Sequence, residues 1–519
     1  MGLDDWFLTS TQRGNPVTTL DSRHVDAAAW TTGNRVRPLV HGGAYFAELL
    51  SAVRAMKPGD VLLFTDWRGD PDERLGGPGT EVSHVFADAA RRGVVVRGLI
   101  WRSHLAWLRF HERQNRHLGE DIQAAGGECL LDMRVRPGGS HHQKLVVLRH
   151  RDRPERDVAF VGGIDLCHGR RDDVDHRGDD QPCPIGAAYG DRPAWHDVQV
   201  AIQGPAVADV ETAFRERWED PTPLTLNPYK RWRDRLLRPN GPAPCPGRLP
   251  DPAPRGMDAV QILRTYPYRR RGYSFAPAGE RSIARAYAKA LGRARRLVYI
   301  EDQYLWSPHV VCVFADALRT NPDLRFIAVV PHHPDRDSPF YNAPQLFARN
   351  AALRRLRRAG GDRVGVYGIE NHRGVPVYVH AKVCVIDDTW VSVGSDNVNC
   401  RSWTHDSELS CAVLAEDPAD RSFARDLRLT LVREHLDRAD GDDEDLRDPR
   451  RTFTAVASSA RELDEWHRRG GTGPRPPGRL RPYRVEPLSR STLRWAVPLY
   501  HLMYDPDGRP PSLRRDHLF

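Results

Sequence analysis

His142-Gln143-Lys144-Leu145-Val146-Val147-Leu148 and His380-Ala381-Lys382-Val383-Cys384-Val385-Ile386-Asp387 decide the reading of this chain. Each stretch sets a histidine and a lysine two positions apart at the head of an apolar run rich in β-branched residues. Residues i and i+2 of a strand point to the same face, so each copy presents an imidazole beside an ammonium. The residues downstream repeat as well. Phe160-Val161-Gly162-Gly163-Ile164-Asp165 follows the first copy, and Gly394-Ser395-Asp396-Asn397-Val398-Asn399 follows the second. Glycine lets backbone N–H groups approach an anion, and Ser and Asn add neutral donors. Aligned on the glycines, Asp165 falls opposite Asn397. Further on, Trp195-His196-Asp197 lies opposite Asp406-Ser407-Glu408.

The duplication extends outward. Ala44 to Met56 reads as an amphipathic helix and Val61 to Thr65 as the strand after it. Ser282 to Ala294 and Leu297 to Ile300 repeat the pattern. A second helix and strand end at Val94 to Ile100 in the first half and at Leu324 to Val330 in the second. Helix followed by a short β-branched run, repeated, implies an α/β fold. We expect two pseudo-symmetric α/β halves with mixed sheets packed together and the active site at the interface between them.

Two His–Lys pairs meeting at one cleft suit a phosphodiester. One histidine can attack phosphorus, the other can protonate the leaving alcohol, and the lysines can bind the non-bridging oxygens. With four basic side chains at the site, neither a metal nor any other cofactor is expected. His141 is read as a structural neighbour.

The chain resembles the phospholipase D superfamily, whose paired motif reads His-x-Lys-x4-Asp. The second copy fits in full, with Asp387, Gly394, Ser395 and Asn397 in place. Tyr299-Ile300-Glu301-Asp302-Gln303-Tyr304, Val260-Gln261-Ile262-Leu263-Arg264 and the Gly162-Gly163-Ile164-Asp165 turn resemble eukaryotic-type members, and the likeness runs over roughly residues 36 to 435. It implies His142 as nucleophile and His380 as acid and base, although the two halves carry the same parts and the residues alone leave these roles open. Lys144 and Lys382 are then the phosphoryl cations. Asn397, Asn399, Ser395 and Asp165 are the phosphate-side candidates, and Asp387, Gly162, Gly163 and Gly394 give structural support. Asp197 and Glu408 stand where the family carries the carboxylates that orient the histidines. The order along the chain predicts hydrogen bonds from Asp197 to His142 and from Glu408 to His380.

One position departs from the pattern: Arg149 stands where the first motif would have Asp. It is an odd number of residues from His142, so an unbroken strand turns it away from the site. A tolerated, supporting substitution is therefore expected.

The implied activity is phospholipase D chemistry: hydrolysis and alcohol transfer on glycerophospholipids through a phosphohistidine. The implied partners are a phospholipid membrane surface and a water or small-alcohol acceptor, and a monomer is expected. A nuclease using the same chemistry is the alternative, disfavoured because minimal nucleases of the superfamily carry one motif per chain. A non-catalytic lipid-binding scaffold, suggested by Arg149, is a third reading. Cardiolipin synthases usually carry N-terminal membrane helices, which this chain does not show.

The net charge of +8 and pI near 9.1 favour anionic partners without choosing lipid over nucleic acid. No apolar run approaches the ~20 residues of a membrane span, and Trp6 occupies the place where myristoylation after Gly2 wants Ser or Thr. The eight cysteines show no Cys-x-x-Cys spacing. A cytoplasmic protein that visits the membrane surface is expected.

Domain boundaries are expected as an extension at 1–35, half 1 at 36–220, a proline-rich linker at 221–257, half 2 at 258–435 and a tail at 436–519. Within these, the charged stretch His168 to Asp191 reads as a solvated loop. Arg468 to Pro482 reads as extended and mobile. Leu493 to Tyr504 reads as a packing segment carried by Trp495, Leu499, Leu502 and Met503. Trp195, Trp403, Tyr304 and Trp306 are candidates for core or for a pocket wall.

Overall fold

The first half supplies strands β1 (Thr31–Val40), β2 (Val61–Asp66), β3 (Val95–Trp101), β4 (Glu128–Asp132), β5 (Leu145–Arg149), β6 (Val158–Gly162), β7 (Ala194–His196) and β8 (Val198–Gln203). These come from a computed structural model that describes residues 2–24, 28–104, 112–238, 241–416, 422–515 and 519. The second half supplies β9 (Asp258–Tyr266), β10 (Glu280–Arg281), β11 (Leu297–Asp302), β12 (Arg325–Val329), β13 (Val364–Glu370), β14 (Pro376–Val379), β15 (Lys382–Ile386), β16 (Trp390–Gly394) and β17 (Glu408–Ala415). A short β18 (Leu480–Pro482) follows.

The two sheets correspond strand for strand. The first runs β4-β3-β2-β5-β6-β8-β1, with β2, β3 and β4 parallel and the remainder antiparallel. The second runs β13-β12-β11-β15-β16-β17-β9, with β11, β12 and β13 parallel. The parallel triplets are connected through helices, and the strands that carry the motifs form antiparallel hairpins. Apart from β1 and β18, the strands are buried along almost their whole length, which is why they read as runs of Val, Ile and Leu.

The helices form three layers around these sheets. Gly42–Arg54 and Val82–Arg91 cover the outer face of the first sheet, and Ser282–Leu291 and Val311–Thr320 cover that of the second. Two further helices, Ala206–Trp218 and Phe423–His435, lie in the central core with residues of both sheets. Every residue of Ala206–Trp218 is buried, charged ones included. Arg217 pairs with Asp132 at 2.7 Å, Arg215 with Glu211 at 2.6 Å, and Glu216 accepts from Arg264 of β9 at 2.6 Å. Such charges are tolerable inside a protein only when paired and hydrogen-bonded.

The halves join along a seam. β1 pairs with β9, and β7 runs parallel to β14 with His196 opposite Val379. His141 bridges to Ser407.

Arg149 ends β5 as a buried residue. It bonds Asp157 at 2.8 Å, Glu211, and the carbonyl of Pro250 in the proline-rich stretch. Its counterpart Asp387 instead accepts from the backbone N–H groups of Arg295, Arg296 and Leu297 at 2.7–2.8 Å. In the first half Asp60 ties the equivalent turn, accepting from the amides of Lys57 and Arg151. Arg149→Ala removes the guanidinium shared by two buried carboxylates, leaving Glu211 to Arg215 and Asp157 to His150. We expect it to lower unfolding free energy by about 3–5 kcal/mol in urea titrations, while the folded fraction keeps its specific activity.

Three sequence expectations are corrected. The charged stretch after His168 is only partly a solvated loop: Asp173, Val174, Arg177 and Asp180 are exposed, but Arg170, Asp172, His176 and Asp179 are buried. Asp179 accepts from the amides of Gly169, Arg171 and Gln181, and Asp172 from those of Trp195 and Gly178, so the charges organise the loop from within. Arg468 to Pro482 is only partly extended chain. Its last residues add β18 to the edge of β13, and Arg479 is anchored on Asp437. In the C-terminal segment Ala496 and Tyr500 do the packing, whereas Trp495, Leu502 and Met503 are exposed. No helix among the described residues is long and apolar enough to cross a membrane.

Candidate active site

Both His–Lys pairs sit at the seam, just before β5 and β15. The backbone sets their positions symmetrically. The amide of His142 donates to the carbonyl of Ser407 at 2.9 Å, and that of His380 donates to the carbonyl of His196 at 2.7 Å. Each histidine is thereby pinned to the residue that precedes a carboxylate of the opposite half.

The carboxylates are therefore exchanged relative to the sequence expectation. Glu408 Oε2 lies 2.8 Å from His142 Nδ1, and Asp197 Oδ2 lies 2.7 Å from His380 Nδ1. Expecting Asp197 on His142 and Glu408 on His380 followed the order along the chain, but the seam pairs each motif with the strand of the other half. In both pairs the carboxylate takes Nδ1, which leaves Nε2 for a substrate.

The neighbouring groups explain the electrostatics. Burial lowers the pKa of His142 well below the ordinary histidine value, and Lys144 and Lys382 lower it further. Burial, then Lys382 and Arg170, do the same to His380. Each imidazole thus senses Lys382, and His380 also senses Lys144, so the two motifs share one electrostatic site. Burial raises Asp197, and burial with Asp406 beside it raises Glu408 to about 8. Lys382 is pushed down by burial to about 8.

The lysines are held differently in the two halves. Lys144 Nζ is 3.1 Å from Asp165 and 3.2 Å from the carbonyl of His142. Lys382 Nζ is 3.2 Å from Gln303 Oε1 and also bonds the carbonyl of His380. Asp165 is thus a partner of Lys144, occupying the position that Asn397 takes in the other half. Asp66 at the end of β2 accepts from the amide of Leu166, as Asp302 at the end of β11 does from Val398, so each glycine turn is clamped in the same way. Burial, with Asp165 next to it, raises Asp66 well above the usual carboxylate range.

The remaining candidates divide by what they touch. Ser395 Oγ donates to Glu408 and accepts from the amide of Leu409 at 3.0 Å, so it steadies the carboxylate behind His142. Asn399 Oδ1 caps the amide of Ser402 at 2.7 Å. Asn397 Oδ1 is buried without a hydrogen-bond partner. Gly163 approaches Asp197 so closely that a Cβ would lie 2.2 Å from Oδ1, and a Cβ on Gly394 would strike Ser410. A Cβ on Gly162 would lie 2.5 Å from the carbonyl of Val198. His141 is buried and paired to the seam through its backbone.

Aromatic walls flank both histidines. Trp195 lies with its ring centroid 5.0 Å from that of His380, and Arg170 stacks over Trp195 at 3.8 Å. Trp67 lies 5.9 Å from His142, edge to face. Trp403 is core, and Tyr304 stacks on Trp306 at 3.8 Å. Trp67 and Arg170 escaped sequence reasoning. Arg170 was hidden in the charged loop, and Trp67 lies one residue beyond β2 with no motif to mark it.

Comparisons with known proteins point to the same family. Residues 127–226 match the family model described as phospholipase D, and residues 287–427 match that described as cardiolipin synthase, phospholipase D-like domain. Phospholipase D alpha 1 of Cynara cardunculus is 24% identical over 71% of this chain and 60% of its own length. Phospholipase D beta 2 of Arabidopsis thaliana is 28% identical over 52% of this chain and 40% of its own. Phospholipase D1 of Saccharomyces cerevisiae is 26% identical over 77% of this chain and 28% of its own. The chain spans 60% or less of the length of these three relatives. The crystal structure of a phosphatidylserine synthase from Haemophilus influenzae superposes with a TM-score of 0.50 at 15% identity, covering 82% of this chain and 93% of that one, a likeness of fold. With its duplicated sheets, its two His–Lys motifs at the seam and its similarity to these proteins, the chain belongs to the phospholipase D superfamily and has eukaryotic-type features.

Proposed function

We propose that this protein is a phospholipase D that cleaves the distal phosphodiester of glycerophospholipids through a phosphohistidine, and passes the phosphatidyl group to water or a primary alcohol. The observation that carries this reading is the pair of carboxylate-backed histidines, each with a lysine two residues on, at one seam.

The steps follow from the geometry. With the proton of the His142–Glu408 pair on Nδ1 and Glu408 ionised, His142 directs the Nε2 lone pair at phosphorus. The P–N bond forms as the P–O bond to the headgroup breaks, and His380 Nε2–H delivers a proton to the departing oxygen. In the free site the lysines and burial keep both imidazoles neutral. A bound phosphodiester anion offsets the lysine charge and lets His380, backed by Asp197, hold the proton it must donate. Lys144, Lys382 and Asn397 face the charge that develops on the phosphoryl oxygens. In the second half-reaction His380 takes a proton from the incoming water or alcohol, and His142 leaves. We place the protein on a phospholipid surface from the cytoplasmic side, acting as a monomer without a catalytic metal.

The test is incubation with phosphatidylcholine vesicles and a primary alcohol, followed by mass spectrometry. Phosphatidylalcohol alongside phosphatidic acid is the expected result. Absence of lipid turnover across several headgroups, with cleavage of DNA instead, would replace this reading by a nuclease.

A pH dependence follows from Lys382. Its ammonium is the form that binds phosphoryl oxygens, and burial brings its pKa to about 8. The charged form is lost as pH rises through that value, so kcat/KM should fall above about pH 8. Lys382→Arg, permanently charged, should remove this basic limb. A limb unchanged in that variant would assign it to another group.

A further inference from the structure

Behind His380, three histidines converge on one buried carboxylate. His41 Nε2 lies 2.9 Å from Glu434 Oε2, His176 Nε2 lies 3.0 Å from Glu434 Oε1, and His196 Nδ1 lies 3.6 Å from that same oxygen. These ligand-type atoms all fall within 4.8 Å of one another. The rings stand around the carboxylate, with centroids 4.7–5.5 Å apart. None of the four belongs to the phosphoryl site. They come from the start of an outer helix, the inward-turned charged loop, β7 and the end of the inner helix Phe423–His435.

We propose that His41, His176, His196 and Glu434 form a structural binding site for a divalent transition-metal ion of the zinc class. Three imidazole nitrogens and one carboxylate oxygen are a tetrahedral donor set suited to zinc, whereas calcium and magnesium prefer oxygen.

Two independent observations point to an ion. His196 is fully buried, and its Nδ1, aimed into the cluster, has no hydrogen-bond partner. Its other nitrogen, Nε2, is occupied by Glu301 at 2.6 Å, so Nδ1 is the nitrogen left to an ion. His176 is arranged differently: its Nε2 faces the cluster at 3.0 Å from Glu434, and Asp172 Oδ2 stands 3.6 Å behind its Nδ1. A carboxylate behind a ligating histidine is the usual outer-sphere support of a metal. Glu301 also accepts from His435 at 2.7 Å. Glu434, Glu301 and Asp172 surround the imidazoles with carboxylates, whose charge a divalent ion would offset in part.

The ion would act on the active site through the backbone. His196 precedes Asp197, its carbonyl accepts from the amide of His380, and the amide of His41 donates to the carbonyl of Asp197 at 2.8 Å. Fixing His41 and His196 therefore fixes the strand that holds Asp197 against His380. These four are positioning residues.

The full-length protein, chelated and desalted, would be titrated with Zn2+ and separately with Co2+, following bound metal by mass spectrometry, the visible spectrum of cobalt and the melting temperature. We expect about one equivalent bound per chain, a tetrahedral cobalt spectrum, and a melting temperature that rises with zinc. His176→Gln and His41→Gln should each reduce bound metal at least about tenfold. A wild-type protein that stays folded, binds neither ion and does not change its melting temperature would overturn the proposal and leave two imidazolium protons to balance the carboxylates. Binding undiminished in both variants would overturn it equally. Because the decisive titration uses the wild-type chain, a variant that fails to fold does not obscure the answer.

Discussion

His142→Ala is expected to reduce phosphodiester turnover by about 10⁴-fold or more, because it removes the atom proposed to bond phosphorus. The variant should remain folded. Glu408, which loses its histidine partner and keeps Ser395, already has its pKa raised to about 8 by burial and by Asp406, so it can take up a proton rather than remain a buried charge without a cation. Turnover of phosphatidylcholine would be measured together with covalent labelling by a substrate carrying labelled phosphate, quenched in base to preserve phosphohistidine. Wild type should carry the label and His142→Ala should not. Label retained in His142→Ala and lost in His380→Ala would exchange the two roles, which the duplicated architecture permits.

The second large effect concerns the exchanged carboxylates. Glu408 lies on His142 and Asp197 on His380. Each aligns Nε2 and stabilises the imidazolium, so Glu408→Gln and Asp197→Asn should each lower kcat by about 10²–10⁴-fold. They should differ in how the loss responds to the leaving group. Asp197→Asn weakens the acid that protonates the departing alcohol, so a diester with an acidic phenol as leaving group should recover most of the rate. Glu408→Gln weakens the nucleophile, and the same diester should recover little. The reverse pattern would restore the assignment expected from chain order.

Much of the site was legible from local sequence. A spacing of two residues places His and Lys on one face of a strand whatever surrounds it, and its recurrence at His142 and His380 implied a duplicated fold. The alternation of amphipathic helices with β-branched runs located β2, β3, β11 and β12, because these elements bury fixed faces. The turns after β6 and β16 were legible for a steric reason: at Gly163 and Gly394 a Cβ would strike Asp197 or Ser410.

Other features had no local signature. The helix Ala206–Trp218, with Asp209, Glu211, Arg215, Glu216 and Arg217, has the composition of a surface helix, yet it is wholly buried because its charges are paired, Arg215 with Glu211 inside the helix and Glu211, Glu216 and Arg217 with residues of β5, β9 and β4. Arg149 is explained in the same way: its carboxylates, Asp157 and Glu211, lie 8 and 62 residues along the chain. His168 to Asp191 looked solvated because its ligand-like side chains are satisfied by backbone amides and by Glu434, 258 residues from His176.

The sequence by itself determined which residues are candidates for the chemistry, since side-chain type and strand parity are local properties. Which carboxylate serves which histidine was decided only by the tertiary structure. The amides of His142 and His380 dock on the carbonyls of Ser407 and His196 across the seam, and that docking carries Glu408 and Asp197 to the histidine of the opposite half. Strand pairing between distant segments depends on the packing of both sheets, and no window of sequence contains it.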